Sequence, residues 1–201
     1  MPSEQKKKSI MNVPNALSLL RMILVPFFVL SVLWMDMETW EGRMIPAIIF
    51  AVTAFTDCLD GQIARRCNLI TNFGKFLDPL ADKFMVFAAL LVMVFRYTYL
   101  HEVFVWMTVI IMFRELAVTS IRLVAAGSSG VVIAASWFGK LKTVSQILGI
   151  LVIILEPLFW GVYGAPISPA SYVMMALMTI STVASGIDYL RAYWPCLRDS
   201  G

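Results

Sequence analysis

The sequence predicts an all-α integral membrane protein. It is read as a single domain over residues 1–201 with six transmembrane helices, both termini cytosolic, and a candidate active site at the cytosolic side of the bundle. Three observations carry this reading. The chain is 60% hydrophobic and only 14% charged, whereas soluble domains run to about 45–50% apolar and about 25% charged. Six apolar segments divide it, each about the 20 residues that cross a hydrocarbon core. Finally, Lys and Arg fall almost wholly on one side of the predicted topology, as the positive-inside rule requires.

Residues 1–12 form a basic cytosolic arm carrying Lys6, Lys7 and Lys8. The apolar run after it is too long for a signal-peptide core, and no small-residue cleavage site follows, so residues 14–35 are a retained helix. The second segment spans 44–64. Its apolar part, Met44 to Thr56, is too short to cross alone, so the helix continues through Asp57 and Asp60 to about Ala64. A return loop of about a dozen residues, relaxed by Gly74, leads to the third segment at 79–99. Pro79 near its start is tolerated because the first N–H groups of a helix have no intrahelical partner. The fourth, fifth and sixth segments are 103–126, 134–160 and 170–194.

With the N-terminus inside, the inner side collects Lys6, Lys7, Lys8, Arg21, Arg65, Arg66, Lys75, Lys83, Arg114, Arg122, Lys140, Lys142, Arg191 and Arg198. Only Arg43 and Arg96 fall outside, where Asp36, Glu38, Glu41 and Glu102 lie. The net charge of +3 is too small to argue for nucleic acid. Cys58, Cys67 and Cys196 form no CxxC and cannot all pair, so neither a disulfide frame nor a zinc site is expected. The one histidine, His101, falls in a predicted loop, which argues against histidine catalysis.

The chemistry concentrates in "TDCLDGQIARRCNLITNFGKFLDPLADK", residues 56–83. Asp57 and Asp60 are i, i+3 and share a helix face, and so do Asp78 and Asp82 at i, i+4. The first pair closes one helix and the second opens the next at the same membrane side. Antiparallel neighbours would gather four carboxylates at similar depth. Carboxylates so placed repel unless a cation binds, and an oxygen-only donor set suits two hard divalent ions, Mg²⁺ or Mn²⁺. Such pairs clamp the attacking and leaving oxygens of phosphoryl transfer. Gly61 and Ala64 leave room on the aspartate face, and Arg65 offers a phosphate a fork of donors. The plain alternative is four interfacial aspartates paired with Arg65, Arg66, Lys75 and Lys83.

This stretch resembles the motif of the CDP-alcohol phosphatidyltransferases, D-x2-D-G-x2-A-R followed by G-x3-D-x3-D. Asp57, Asp60, Gly61, Ala64, Arg65, Gly74, Asp78 and Asp82 meet every position. The family's six-helix membrane fold is similar to the segment count reached above. The resemblance implies that all four aspartates bind metal and that Asp82 is also the base for the acceptor hydroxyl. It implies that Gly61, Arg65 and Thr71 contact the CDP-lipid, CDP-diacylglycerol. "NVPNALSLLR" resembles the opening of this family, which would turn Asn15 and Ser18 toward the nucleotide. Read without the family, Asn15 is a helix cap and Ser18 a neutral early-helix residue.

The acceptor is read from the fourth and fifth segments. Arg114 and Glu115 lie roughly 18 Å along the helix from its outer start, and an ionisable pair so deep is a functional candidate by default. Glu115, Thr119 and Arg122 share one stripe, and "ASWFGKLKTVSQ" adds Lys140 and Lys142. Arg114, Arg122, Lys140 and Lys142 supply more positive charge than a neutral polyol needs, so a phosphorylated acceptor is expected. The alternatives are an internal ion-pair network for Arg114 and Glu115, and ordinary positive-inside anchoring for Lys140 and Lys142. The string R-E, an arginine seven residues after the glutamate, and "GKLKT" resemble the phosphatidylglycerophosphate synthases within the family. That resemblance implies sn-glycerol 3-phosphate as acceptor, a homodimer and a bacterial plasma-membrane location. Phosphatidylglycerol or inositol phosphate would be rival acceptors. A divalent-cation transporter is a remote alternative, because the aspartates gather toward one face and the nearby basic residues would repel a cation. Ser181, Ser185 and Asp188 form a polar stripe on the last helix, read mainly as a helix contact.

Overall fold

The computed structural model describes residues 13–67, 72–97, 100–128, 137–160 and 169–198. Within the helices, side chains of 13–14, 58–67, 72–79, 101, 123–128, 160 and 194–198 lie outside the described residues. Six helices follow one another: α1 (Val13–Trp34), α2 (Trp40–Cys67), α3 (Asn72–Arg96), α4 (His101–Ser128), α5 (Trp137–Trp160) and α6 (Pro169–Arg198). Four of them contain stretches long and apolar enough to cross a membrane: Asn15–Trp34, Glu102–Arg122, Trp137–Phe159 and Pro169–Tyr193.

Two helix starts have a cause in named contacts. Thr39 caps α2, since its Oγ1 accepts the Gly42 N–H at 3.1 Å and donates back to the Asp36 carbonyl at 2.7 Å. The helix therefore begins at Trp40, four residues before the apolar run that marks it in the sequence. The start of α6 is capped from another helix. Glu156 of α5 accepts the N–H groups of Ala170 and Ser171, each at 2.8 Å, and the Ser171 hydroxyl as well. A buried carboxylate there meets donors that the helix cannot satisfy itself.

Two expected boundaries are corrected. The third helix starts at Asn72, not at Pro79, so Gly74, Asp78 and Pro79 lie inside α3 and only 68–71 separate it from α2. Phe73, Phe76, Leu77 and Leu80 stand at i, i+3, i+4 and i+7. That helical spacing carries the chain through the proline, which forfeits one hydrogen bond. His101 is the first residue of α4 and not a loop residue, because Tyr97 and Leu100 close the α3–α4 turn with a 3.1 Å hydrogen bond.

The ends of the bundle are fixed by named contacts. At one end, Arg96 of α3 donates to the Met35 carbonyl just after α1 at 3.2 Å. There Arg43 of α2 donates to the Ile154 carbonyl of α5 at 3.1 Å and lies over the Tyr97 ring. The helices thus run up and down. The core follows from one face of α1: Asn15, Ser18, Arg21, Val25, Phe28 and Val32 are all buried at helical spacing. The stripe is polar in its first half and apolar in its second. Phe28 meets Phe50 of α2 with ring centroids 5.3 Å apart, and Ile150, Ile153, Ile154, Met175 and Met178 complete the apolar half. Close approach does the work that water would do for a soluble core. At Gly149 an added Cβ would stand 2.3 Å from Met178 Sδ, so α5 and α6 meet there because the side chain is missing.

Neighbour relations position the site. Among the described residues α1 packs along both α2 and α3, α5 along α6 and α2, and α4 along α6 and α3. The expected side-by-side packing of α2 on α3 is not a principal contact among the described residues; α1 stands between them.

Candidate active site

Two groups of polar side chains face the half of the bundle opposite the Arg43 and Arg96 end. The first is built on α1. Arg21, fully buried, places Nη1 2.8 Å from Asp57 Oδ1 of α2 and 2.5 Å from Asp82 Oδ1 of α3. Thr56 beside Asp57 turns its hydroxyl back to the Val52 carbonyl at 2.5 Å, so it leaves the aspartate to the interior contact. Asn15 and Ser18 are buried on the same α1 face as Arg21. Asn15 lies two residues inside α1 and is not its cap.

The second group joins α4, α5 and α6. Glu115 Oε1 accepts Lys142 Nζ at 2.5 Å and Arg114 Nη1 at 2.9 Å. Arg114 Nη2 donates to Ser185 Oγ at 2.6 Å, while its buried Nε has no hydrogen-bond partner among the described residues. The neighbouring Gly186 makes this fit possible: a Cβ there would stand 3.0 Å from Arg114 Cγ. Arg122 donates to the Tyr189 hydroxyl and lies over the Tyr189 ring at 4.3 Å, with Arg114 above the same ring at 5.9 Å. Below this layer Ser145 and Ser181 meet at 2.7 Å, and Gln146 donates to Thr182 at 3.3 Å.

Arg114 and Lys142 thus converge on one carboxylate, Glu115, and Arg114 and Arg122 share the face of Tyr189, so three positive groups accompany one carboxylate. The excess of positive charge, with a buried guanidinium N–H still to be satisfied, suits an anion. The aspartate side is the complement. Two carboxylates from two helices converge on one nitrogen atom, so the pair is already arranged around a cation. An all-oxygen donor set fits Mg²⁺ or Mn²⁺ better than zinc or copper.

The sequence-predicted residues divide as follows. Asp57 and Asp82 are brought together. Arg114, Arg122 and Lys142 are brought together around Glu115 and Tyr189. Lys140 is exposed and stands two residues from Lys142, on another face of α5. The backbone at Asp60, Gly61, Ala64 and Arg65 continues α2, and that at Gly74 and Asp78 belongs to α3, with their side chains outside the described residues. Thr71 lies outside the described residues altogether. Sequence reasoning missed Arg21 as a site residue, counting it only toward orientation. Its signal was present, since Asn15, Ser18 and Arg21 repeat every third residue on one face. Tyr189 was missed because an aromatic beside a polar stripe carries no mark of its role.

The chain is similar to known proteins over most of its length. The family model described as CDP-alcohol phosphatidyltransferase matches residues 11–185. The chain is 37% identical over 198 residues to the CDP-diacylglycerol–glycerol-3-phosphate 3-phosphatidyltransferase of Bacillus subtilis, covering 94% of this chain and 98% of that protein. It is 38% identical over 192 residues to a probable phosphatidylglycerophosphate synthase of Mycobacterium tuberculosis, covering 96% of this chain and 85% of that one. A 3-phosphatidyltransferase of the first kind from Haemophilus influenzae is 35% identical over 193 residues, covering 94% and 97%. By the span of the family model and the near-complete coverage of these relatives, the chain belongs to the CDP-alcohol phosphatidyltransferase family.

Proposed function

We propose that the protein transfers a phosphatidyl group from CDP-diacylglycerol to sn-glycerol 3-phosphate, giving phosphatidylglycerophosphate and CMP. The observation that carries this reading is the end-to-end similarity to relatives bearing that activity in their names. The polar half of the bundle supports it from the chemical side, because it holds a carboxylate pair suited to cations and a basic cluster suited to a phosphate.

Asp57, Asp60, Asp78 and Asp82 would hold two divalent cations, Mg²⁺ or Mn²⁺. When bound, these neutralise charge on the pyrophosphate and on the oxygens that attack and leave. Asn15, Ser18, Gly61, Ala64, Arg65, Thr71 and Gly74 make the side that receives the CDP-lipid. Arg114, Arg122 and Lys142, with Lys140 at the rim, hold the acceptor phosphate. Asp82 takes the proton of the acceptor hydroxyl, whose oxygen forms the new bond to the phosphorus bearing the diacylglycerol. The bond from that phosphorus to the oxygen of the CMP phosphate breaks, and CMP carries the electron pair away.

In this reading all six helices span the bacterial plasma membrane, with both termini and the site on the cytosolic side, and the protein works as a homodimer. Exposed Trp34, Trp40 and Trp106 toward one end of the helices and Trp137 toward the other support such a placement.

The test is CMP release from CDP-diacylglycerol by the purified protein with Mg²⁺ or Mn²⁺ and one acceptor at a time. sn-Glycerol 3-phosphate should support turnover. Phosphatidylglycerol, inositol phosphate and glycerol should not, and turnover with one of these alone would replace the acceptor.

A further inference from the structure

We propose that Arg21 is a positioning residue that sets the spacing of the divalent-cation site. The inference rests on the metal reading above and concerns a residue outside the aspartate motif. Asp57 and Asp82 sit on α2 and α3, which do not pack extensively on each other among the described residues. Both helices pack on α1, and α1 supplies the one nitrogen that both Oδ1 atoms touch. The spacing of the two ligands is therefore referred to Arg21.

Burial shows on which side the arginine stands. The Arg21 side chain is 0% exposed, Asp57 26% and Asp82 51%. The guanidinium is the back wall of the site, and the carboxylates open away from it. A cation that pushed Arg21 off both carboxylates would break two ion-pair contacts of a fully buried charge, which costs free energy. The cation instead enters from the open side, onto carboxylates that Arg21 already holds in register. This is the role that outer partners play for metal ligands generally.

The sign of one substitution separates positioning from simple charge. Removing a positive charge beside a cation site should tighten binding by Coulomb's law alone. Positioning demands the opposite. Mn²⁺ binding to the detergent-solubilised full chain would be followed by calorimetry, with folding checked by thermal unfolding. Arg21→Gln is expected to weaken Mn²⁺ roughly 10–100-fold at unchanged stoichiometry. Arg21→Lys keeps the charge on a shorter stem and is expected to weaken it in the same direction. It carries the test if the glutamine variant does not fold. Mn²⁺ binding by Arg21→Gln, or failing that by Arg21→Lys, as tight as wild type or tighter would overturn the proposal. A wild-type protein that turns over CDP-diacylglycerol but binds no divalent ion would overturn the metal reading, and this inference with it.

Discussion

Lys142 Nζ lies 2.5 Å from Glu115 Oε1, an ion pair that ties α5 to α4 inside the bundle, and Arg114 Nη1 shares the same oxygen at 2.9 Å. Both ends of the Lys142 pair are largely buried. Lys142 could not carry its charge alone in that setting, since an unpaired buried ion costs several kcal/mol. Glu115 is thus the hinge of the basic cluster. Glu115→Ala is expected to destabilise the protein by about 3–5 kcal/mol, the usual cost of breaking a buried pair from one side. Lys142→Met should cost less, because Arg114 still compensates Glu115. Unfolding in detergent micelles measures both, and equal losses would contradict this division.

Asp82 carries two duties in the proposed mechanism and Asp57 one. Asp82→Asn removes the proton acceptor and a metal ligand but keeps a group of nearly the same size. CMP release should fall by about 10²–10⁴ or more, while the helical content and detergent extraction stay as in wild type. Asp57→Asn should also lose most activity, with part regained at high Mn²⁺, because only a ligand is lost. Full activity in Asp82→Asn would remove it from the mechanism.

The convergence of Asp57 and Asp82 was legible in the sequence because the aspartate pattern is local. Asp57, Asp60, Asp78 and Asp82 lie within one stretch, at spacings that define helix faces. Six helices were legible because turn residues divide the apolar runs, although the run from Met44 to Thr56 counts only with the aspartate segment that continues it. What could not be read is which helix stands between which. Arg21 lies 61 residues from Asp82 along the chain, and nothing local says that α1 separates α2 from α3. The early start of α3 was hidden by Pro79, whose usual place is the first helical turn, while the apolar spacing from Phe73 to Leu80 points the other way. The basic cluster was legible in composition but not in pairing: Glu115 was visible beside Arg114, and the arrival of Lys142 from another helix was not.

Arg122 is held by Tyr189 in two ways, a hydrogen bond to its hydroxyl and the face of its ring at 4.3 Å. The hydroxyl fixes the guanidinium's direction, and the ring supplies an attraction insensitive to direction. Arg122→Gln should raise KM for sn-glycerol 3-phosphate by about tenfold or more, the scale of a charged hydrogen bond. KM for CDP-diacylglycerol should stay as it is. Tyr189→Phe keeps the ring and should raise the acceptor KM only a few-fold, whereas Tyr189→Leu should approach the Arg122→Gln effect. Steady-state kinetics with each substrate varied in turn would show this ranking. A change confined to the CDP-lipid would place Arg122 outside the acceptor pocket.

Glu156 provides the control at the far end of the bundle. Its carboxylate accepts two backbone N–H groups and a hydroxyl at the start of α6, and it is buried. Removing it leaves those amides without their acceptor, in a place where water is scarce. Glu156→Ala should therefore destabilise the fold by roughly 1–3 kcal/mol, combining a lost cap with unsatisfied donors. Glu156→Gln should cost less, since its carbonyl oxygen still accepts. The site is at the other end of α5 and α6, so kcat and both KM values should be unchanged at temperatures where the variants are folded. Hydrogen exchange locates the effect: the amides of Ala170 and Ser171 should exchange faster in Glu156→Ala, and those around Ser185 should not. Acceleration spread evenly over α6 would mean that the carboxylate braces the whole helix and not merely its first turn.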